Sequence, residues 1–331
     1  MRDKIAGALY GMALGDAMGM PAELWGRKRV KAFFGRIEGF LDGPAENDVA
    51  FNYKKGQFTD DTGQALVLLD SIESTDYEPD TSDIALRMLA WAEKENAFEN
   101  NILGPTSKVA LANFRDNIQD SRITDKALSN GSAMRIAPIG CLFRPEQKKD
   151  IARYVYLVSR ATHTSDVTIA GAAMIAEAVS SAIVKDDFEK VMEDVFGIEE
   201  IGYGMGCETF SPRLGERLRI GLDIAESYKG DDEGFIHKLY DVVGTGVGII
   251  ESVPAALSVA YYAQDPNLSC LLCANMAGDT DTIGAMATAV CGAFTGMGRI
   301  KPEYIRTLRQ QNDADFDHYI RILEKGRERF A

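Results

Sequence analysis

The sequence predicts an all-α protein. No stretch alternates β-branched residues over strand length between turns, apolar residues recur at helical spacing almost throughout, and Ala, Gly and Met do much of the filling. At 331 residues with 46% hydrophobic content the chain can bury an ample core. It shows neither an interior linker nor a repeat of solenoid length, so one compact domain over 1–331 is expected.

The first element is a helix in which Gly7, Gly11, Gly15 and Gly19 recur every four residues, with Ala8, Leu9, Met12 and Ala13 between them. That spacing lays the glycines along one bare stripe. Each costs about 1 kcal/mol relative to Ala in a helix interior, and close packing against another helix is expected to offset the loss. Membrane dimerisation uses the same spacing, but Asp3, Lys4 and Asp16 argue against it. The segment faintly imitates a signal peptide, yet it is short, studded with Gly and followed by Asp16 where small residues should mark cleavage. No later segment offers the uncharged length needed to span a bilayer, so a soluble, cytoplasmic protein is expected. The helix closes at Met20-Pro21, with Glu23 just beyond as either a solvated loop acid or a functional one.

Residues 24–57, rich in Gly, Pro and mixed charge, read as loop. Phe58-Thr59-Asp60-Asp61-Thr62-Gly63-Gln64 then opens a helix whose apolar face is Ala65, Leu66, Leu68, Leu69 and Ile72, with Asp61 and Gln64 spaced as a capping box. A helix is expected over about 81–95, loop over 96–107 and helix again over 107–118. Asn130-Gly131-Ser132-Ala133-Met134-Arg135 is a turn of the kind whose free N–H groups hold a phosphate, with Arg135 adding charge; a plain turn with a surface Arg is the alternative. His163 is one of only three histidines and sits amid hydroxyls before a small-residue helix over 167–184. Its ring suits either a ligand oxygen or a structural role. Residues 185–235 read as acidic and less regular, apart from a helix over 213–228. Gly244-Thr245-Gly246-Val247-Gly248 lacks the Gly-Lys-Ser/Thr of a nucleotide-phosphate loop and reads as Gly-rich backbone, open at Gly246 and Gly248 to a flat ligand. A helix over 254–263 and a polar amphipathic helix from Pro302 complete the chain.

The stretch Gly278-Asp279-Thr280-Asp281-Thr282-Ile283-Gly284 packs two carboxylates and two hydroxyls into four residues. One Asp would serve as a helix N-cap; the surplus suits a hard cation. If this stretch meets the one at 59–61, then Asp60, Asp61, Asp279 and Asp281 share one site. Like charges ~4 Å apart repel by about 4 kcal/mol at an effective dielectric near 20, and a helix N-terminus offsets only about 0.3–1 kcal/mol. Divalent cations would resolve the conflict, with Thr59 and Thr282 as neutral oxygens. An all-oxygen set without His or Cys favours a pair of Mg²⁺ or Mn²⁺ ions.

Lys plus Arg total 36 against 50 for Asp plus Glu, a formal charge of −14. That field disfavours nucleic acid and anionic membrane. An anionic substrate would have to be held locally by metals, helix N-termini or a few Arg. Five Cys without a disulfide framework, and one Cys270-Leu-Leu-Cys273 lacking a second pair of zinc ligands, read as core thiols in a reducing cytoplasm.

The chain resembles the ADP-ribosylglycohydrolase family. The matching pieces are Gly11 to Ala17 with Pro21-Ala-Glu23, Thr59-Asp-Asp-Thr62, Asn130 to Pro138, Thr162-His163, Glu251 to Ala256 and Gly278 to Ile283, in the family's order. The resemblance implies a compact orthogonal multi-helix bundle and a binuclear Mg²⁺ (or Mn²⁺) centre on Thr59, Asp60, Asp61, Asp279, Asp281 and Thr282. It implies hydrolysis at the anomeric carbon of an ADP-ribosyl group carried by a small molecule or a protein, with Glu23 and Asp61 as catalytic acids or bases. Asn130, Gly131, Ser132 and Met134 would hold the diphosphate, His163 the ribose or phosphate side, and Gly246 and Gly248 the base. Ala277 departs from the family's pattern, where Gly is common, and Gly284 stands where Ala is common. The leaving group stays open. A two-metal phosphohydrolase and a non-catalytic ADP-ribose binder are the rival readings.

Overall fold

The computed structural model describes residues 1–100 and 102–331. Among them the only β pairing is three isolated bridges, and the chain is helical as the sequence predicts. The long N-terminal helix α1 (Arg2–Gly19) is followed by a 3₁₀ turn (Met20–Ala22), α2 (Arg27–Phe34), α3 (Asp60–Ser74) and α4 (Thr81–Lys94). Next come α5 (Pro105–Arg115), the short α6 (Arg122–Asp125) and α7 (Ala137–Gly140), then α8 (Lys148–Ser159) and α9 (Asp166–Val184). The second half runs α10 (Phe188–Tyr203), α11 (Leu214–Ser227), α12 (Asp232–Val242), α13 (Ile249–Ala263) and α14 (Pro266–Met276). The chain ends with α15 (Thr280–Thr295), α16 (Pro302–Gln311) and α17 (Phe316–Phe330).

Local chemistry sets most of these boundaries. Asp80, Ser165, Asp187, Asp231 and Asp265 each cap a helix by accepting from backbone N–H groups of its first turn. Pro105, Pro266 and Pro302 occupy first helical positions, where a missing N–H costs nothing. Four expectations need correcting. The 24–57 stretch contains α2, a short basic helix whose Val30, Phe33 and Phe34 stand at helical spacing although only Val30 is fully buried. The stretch read as irregular before residue 213 contains α10. The helix expected from Pro254 starts at Ile249, with Pro254 inside it. The final helix is two, because Asn312 to Asp315 turns the chain before α17.

At the centre lie α1, α9, α13 and α15, buried almost end to end. Helix α9 alone has the length and apolarity of a membrane span among the described residues, but 94% of that window is buried in the protein. A helix apolar all round is at home in such a core.

The α1–α15 pair is made through main chain. A Cβ on Gly7 would strike the Gly292 carbonyl oxygen, and one on Gly11, Gly15 or Gly19 would strike the carbonyl of Thr288, Gly284 or Thr280 in turn. The glycine stripe therefore does what its spacing predicts, and it does so along its full length. Replacing Gly15 by Ala is expected to cost about 1–3 kcal/mol, the usual range for overpacking. Gly39→Ala, where a Cβ meets nothing within 4 Å, serves as the control, expected within about 0.5 kcal/mol of wild type in urea unfolding.

Candidate metal centre

Helix α3 starts at Asp60 and α15 at Thr280, and the two starts converge. The hydroxyl of Thr59 donates to Asp61 Oδ2 at 3.0 Å and stands 3.5 Å from Asp281 Oδ2. Carboxylate oxygens of Asp16, Asp61 and Asp281 lie within 4.8 Å of one another, as do those of Glu23, Asp279 and Asp281. Thr282 packs beside both Asp61 and Asp279. The expected meeting of the 59–61 and 279–282 clusters is thus realised, and Glu23 joins it.

Asp16 is the member that motif reasoning overlooked. Fully buried on α1, it accepts from Thr59 N (2.8 Å), Thr62 N (3.0 Å) and Thr62 Oγ1 (2.6 Å). It therefore caps α3 from another helix, satisfying N–H groups that a local cap would otherwise take. The capping box expected of Asp61 and Gln64 does not form. Asp61 lies inside the first turn, and Gln64 instead donates to Asp60 Oδ2 (2.9 Å) while accepting from Arg135 (2.7 Å). Asp279 likewise occupies the N-cap position of α15 without a capping bond; it accepts from Asn130 Nδ2. An Asp in the last turn of a Gly-striped apolar helix, where a negative charge is unfavourable, is the available signal for Asp16.

Backbone pairing ties the surrounding loops to these helix starts. Leu24 N donates to Gly278 O and Gly278 N to Trp25 O, which holds Glu23 over the cluster. The buried amide of Asn47 reinforces this by donating to Glu23 O at 3.0 Å. Asp279 N donates to Thr245 O, Asn130 N to Val247 O and Ile249 N to Leu128 O. The 128–134 turn and the 244–249 loop are therefore zipped together.

The residues expected to bind substrate differ in their surroundings. Asn130 holds Asp279. Gly131 is crowded by the His163 ring, and the buried Ser132 hydroxyl turns away to Thr168 O, so neither offers a side chain to a ligand. Met134 is buried, with its N–H taken by Asn130 O. Gly246 N donates to Glu251 Oε2, while Gly248 pairs with Ser129. His163 is fully buried, its Nδ1 beside Thr162 Oγ1 (2.9 Å) and its Nε2 beside Ser129 Oγ (3.1 Å). Burial, then the Arg135 charge, push its pKa down to about 3. It is a neutral prop behind the turn. Arg135 is not on the surface either: it is 1% exposed and spends its guanidinium on Gln64 and Thr162.

The electrostatics of the cluster are those of a site made for positive charge. Desolvation pushes Asp16 and Asp279 up to about 6 and Asp60 to about 7. Asp61 rises well above its ordinary range through desolvation, then Asp16, Asp60 and Asp279. Asp281 does so through desolvation, then Glu23 and Asp61. Two oxygens, Asp61 Oδ1 and Asp281 Oδ1, are buried with no hydrogen-bond partner among the described residues. A buried, unpartnered carboxylate oxygen is costly. The donor set fits hard divalent cations, being oxygen throughout.

Residues 1–329 match the family model described as ADP-ribosylglycohydrolase. The chain is 44% identical over 327 residues to the uncharacterized protein YegU of Escherichia coli (strain K12), covering 98% of each. It is 26% identical over 309 residues to ADP-ribosylarginine hydrolase Tri1 of Pseudomonas putida (strain GB-1), covering 92% of this chain and 73% of that one. Human ADP-ribosylhydrolase ARH3 is 24% identical over 347 residues, with 94% and 91% covered. A solved structure titled ADP-ribosylglycohydrolase-related protein complex shares the fold at a TM-score of 0.72 and 22% identity, covering 98% of each chain. The chain belongs to the ADP-ribosylglycohydrolase family.

Two outcomes follow from this geometry. Because the cluster's carboxyls titrate higher folded than unfolded, their stabilising contribution is full below the ordinary carboxylate range and is lost as pH rises through about 6–7. In calorimetry with EDTA, the thermal midpoint is expected to fall as pH rises from about 4 to about 7, and saturating Mg²⁺ should remove most of that slope. Separately, Ala277 adopts φ 74° and ψ 167°, a region that favours Gly. Ala277→Gly is expected to stabilise the protein by about 1 kcal/mol, net of the added chain entropy.

Proposed function

We propose, with that family membership as premise, that this chain is a metal-dependent hydrolase cleaving the glycosidic bond at the anomeric carbon of an ADP-ribosyl group. The observation that carries this reading is the buried carboxylate cluster with its unpartnered oxygens Asp61 Oδ1 and Asp281 Oδ1. On this reading Thr59, Asp60, Asp61, Asp279, Asp281 and Thr282 hold two divalent cations, Mg²⁺ or Mn²⁺, with Asp16 fixing the α3 end of the set. What such cations supply is orientation of the ribose hydroxyls and a lowered pKa for bound water.

The remaining work belongs to the chain. The backbone of Gly131 and Ser132 presents N–H groups to the diphosphate, while the 244–248 loop, braced by Glu251, faces the base. His163 acts by holding Ser129 and Gly131 in place, not by touching the ligand. Water adds at the anomeric carbon as the glycosidic bond breaks. Glu23, part-exposed at the mouth of the cluster, takes the water's proton and returns it to the departing group. Asp61 shares the acid's part only by setting the field around it. Residues 1–331 act as one catalytic unit in this scheme, and five free thiols suit a reducing, cytoplasmic setting.

The test is to incubate the protein with ADP-ribosyl-arginine, ADP-ribosyl-serine and O-acetyl-ADP-ribose, with Mg²⁺ or EDTA, and follow free ADP-ribose. Metal-dependent release from at least one is expected, falling about 10²–10⁴-fold in Glu23→Gln, the usual scale for a proton-transfer residue. ADP-ribose binding without turnover would favour a binder, and inorganic phosphate release a phosphohydrolase.

A further inference from the structure

Arg135 is the largest fully buried side chain among the described residues, and it forms no ion pair with any of them. Its guanidinium donates to two neutral oxygens, Gln64 Oε1 at 2.7 Å and Thr162 Oγ1 at 2.6 Å. A charge buried against neutral partners is expensive. Desolvation accordingly lowers its pKa to about 10, with the nearby Asp60 charge opposing the shift.

The two bonds decide how the groups beyond them are oriented. Gln64 has its oxygen engaged by Arg135, so its nitrogen is the end that donates to Asp60 Oδ2 at 2.9 Å. Thr162 Oγ1 accepts from Arg135 and keeps one proton to give. His163 Nδ1 stands 2.9 Å from that hydroxyl and Ser159 O stands 3.5 Å away. Ser159 O already accepts from the backbone N–H groups of Thr162 and His163. The hydroxyl therefore donates to Nδ1, and the neutral ring carries its own proton on Nε2. That N–H donates to Ser129 Oγ at 3.1 Å, and the Ser129 hydroxyl donates to Thr106 Oγ1 at 3.3 Å. Every bond in the chain points away from the guanidinium.

Both arms reach the carboxylate cluster. One ends on Asp60, the first residue of α3. The other ends on Ser129, next to Asn130, whose amide donates to Asp279 just before α15. A single buried cation thus links the two helix starts that converge there. Outer partners that orient a metal's ligands are typically worth 10–100-fold in metal affinity.

We infer that Arg135 is a positioning residue of the cluster: through Gln64 it orients Asp60, and through Thr162 and the Nε2–H tautomer of His163 it holds the Ser129–Asn130 turn that steadies Asp279. The inference rests on the metal-dependent reading above, and Arg135 itself touches neither cation nor substrate.

Two measurements test it. The first needs neither metal nor turnover. In the full chain carrying His237→Gln and His318→Gln, both at part-exposed positions, His163 is the only histidine left, and ¹⁵N-histidine NMR reads its tautomer. The Nε2–H form alone is expected; protonation on Nδ1, or a mixture, overturns the inference. In the second, Mn²⁺ is titrated into the metal-free chain and free Mn²⁺ is followed by electron paramagnetic resonance. Gln64→Met and Thr162→Val are each expected to weaken binding about tenfold or more, and Arg135→Met by at least as much. Thr162→Ser keeps the hydroxyl and is expected to stay within about twofold of wild type. Because Gln64 acts along the same chain as Arg135, adding Gln64→Met to Arg135→Met is expected to change binding by less than about twofold more. Effects that multiply, or wild-type affinity in Gln64→Met and Thr162→Val, overturn the inference and leave the metal reading standing. The latter comparison decides the matter even if Arg135→Met does not fold. No Mn²⁺ bound by the wild type overturns the metal reading itself, and this inference with it.

Discussion

Without Cβ atoms at Gly7, Gly11, Gly15 and Gly19, α1 lies against α15 at main-chain distance, and Asp16 comes to rest beside the first turns of both α15 and α3. Any larger side chain on that stripe would push the helices apart and separate Asp16 from Asp281. The close contact also lets Thr280 donate to Gly19 O, which locks the end of α1 to the start of α15. From there the strap through Glu23 and Trp25 pairs with Gly278, so the same contact carries Glu23 to the cluster. One helix pair therefore sets the positions of three of the acids.

Concentrating that much negative charge is unfavourable in itself, and the fold spends little to relieve it. The nearest buried cation, Arg135, reaches Asp60 only through Gln64 and uses its other hydrogen bond on Thr162. Two helix N-termini point at the cluster, each worth about 0.3–1 kcal/mol to an anion. These terms are small beside the mutual repulsion of carboxylates a few ångströms apart, which is about 4 kcal/mol per close pair at a dielectric near 20. The imbalance makes sense as a site whose missing charge is supplied from solution. On the proposed reading, positive charge at this one place is also what would let a protein of net charge −14 hold a diphosphate.

What was legible in the sequence is what depends on short spacing. The glycine stripe, the Thr-Asp-Asp and Asp-Thr-Asp-Thr starts, and the small-residue α9 and α15 all express their role within a few residues. What escaped depends on contacts across the chain. Asp16 caps α3 from 43 residues away, so no local capping rule could assign it. Gln64 fits a capping box on spacing, yet Arg135, 71 residues on, competes for its side chain. Arg135 reads as either an anion-holding charge or a surface one, and the fold instead buries it among Gln64 and Thr162. Helix α2 is eight residues long and half of it is Lys or Arg, so its apolar spacing of Val30, Phe33 and Phe34 is brief, and α10 is obscured by its acidic exposed face.

The central claim is that the cluster of Asp16, Asp60, Asp61, Asp279, Asp281 and Glu23 exists to hold divalent cations. Titration of the metal-free protein with Mn²⁺ near neutral pH, following free Mn²⁺ by electron paramagnetic resonance, tests it most directly. The account predicts two Mn²⁺ bound per chain, displaced by Mg²⁺, with binding lost in the nearly isosteric Asp281→Asn while its circular dichroism stays helical. Free Mn²⁺ rising in proportion to the amount added, from the first equivalent, would contradict it.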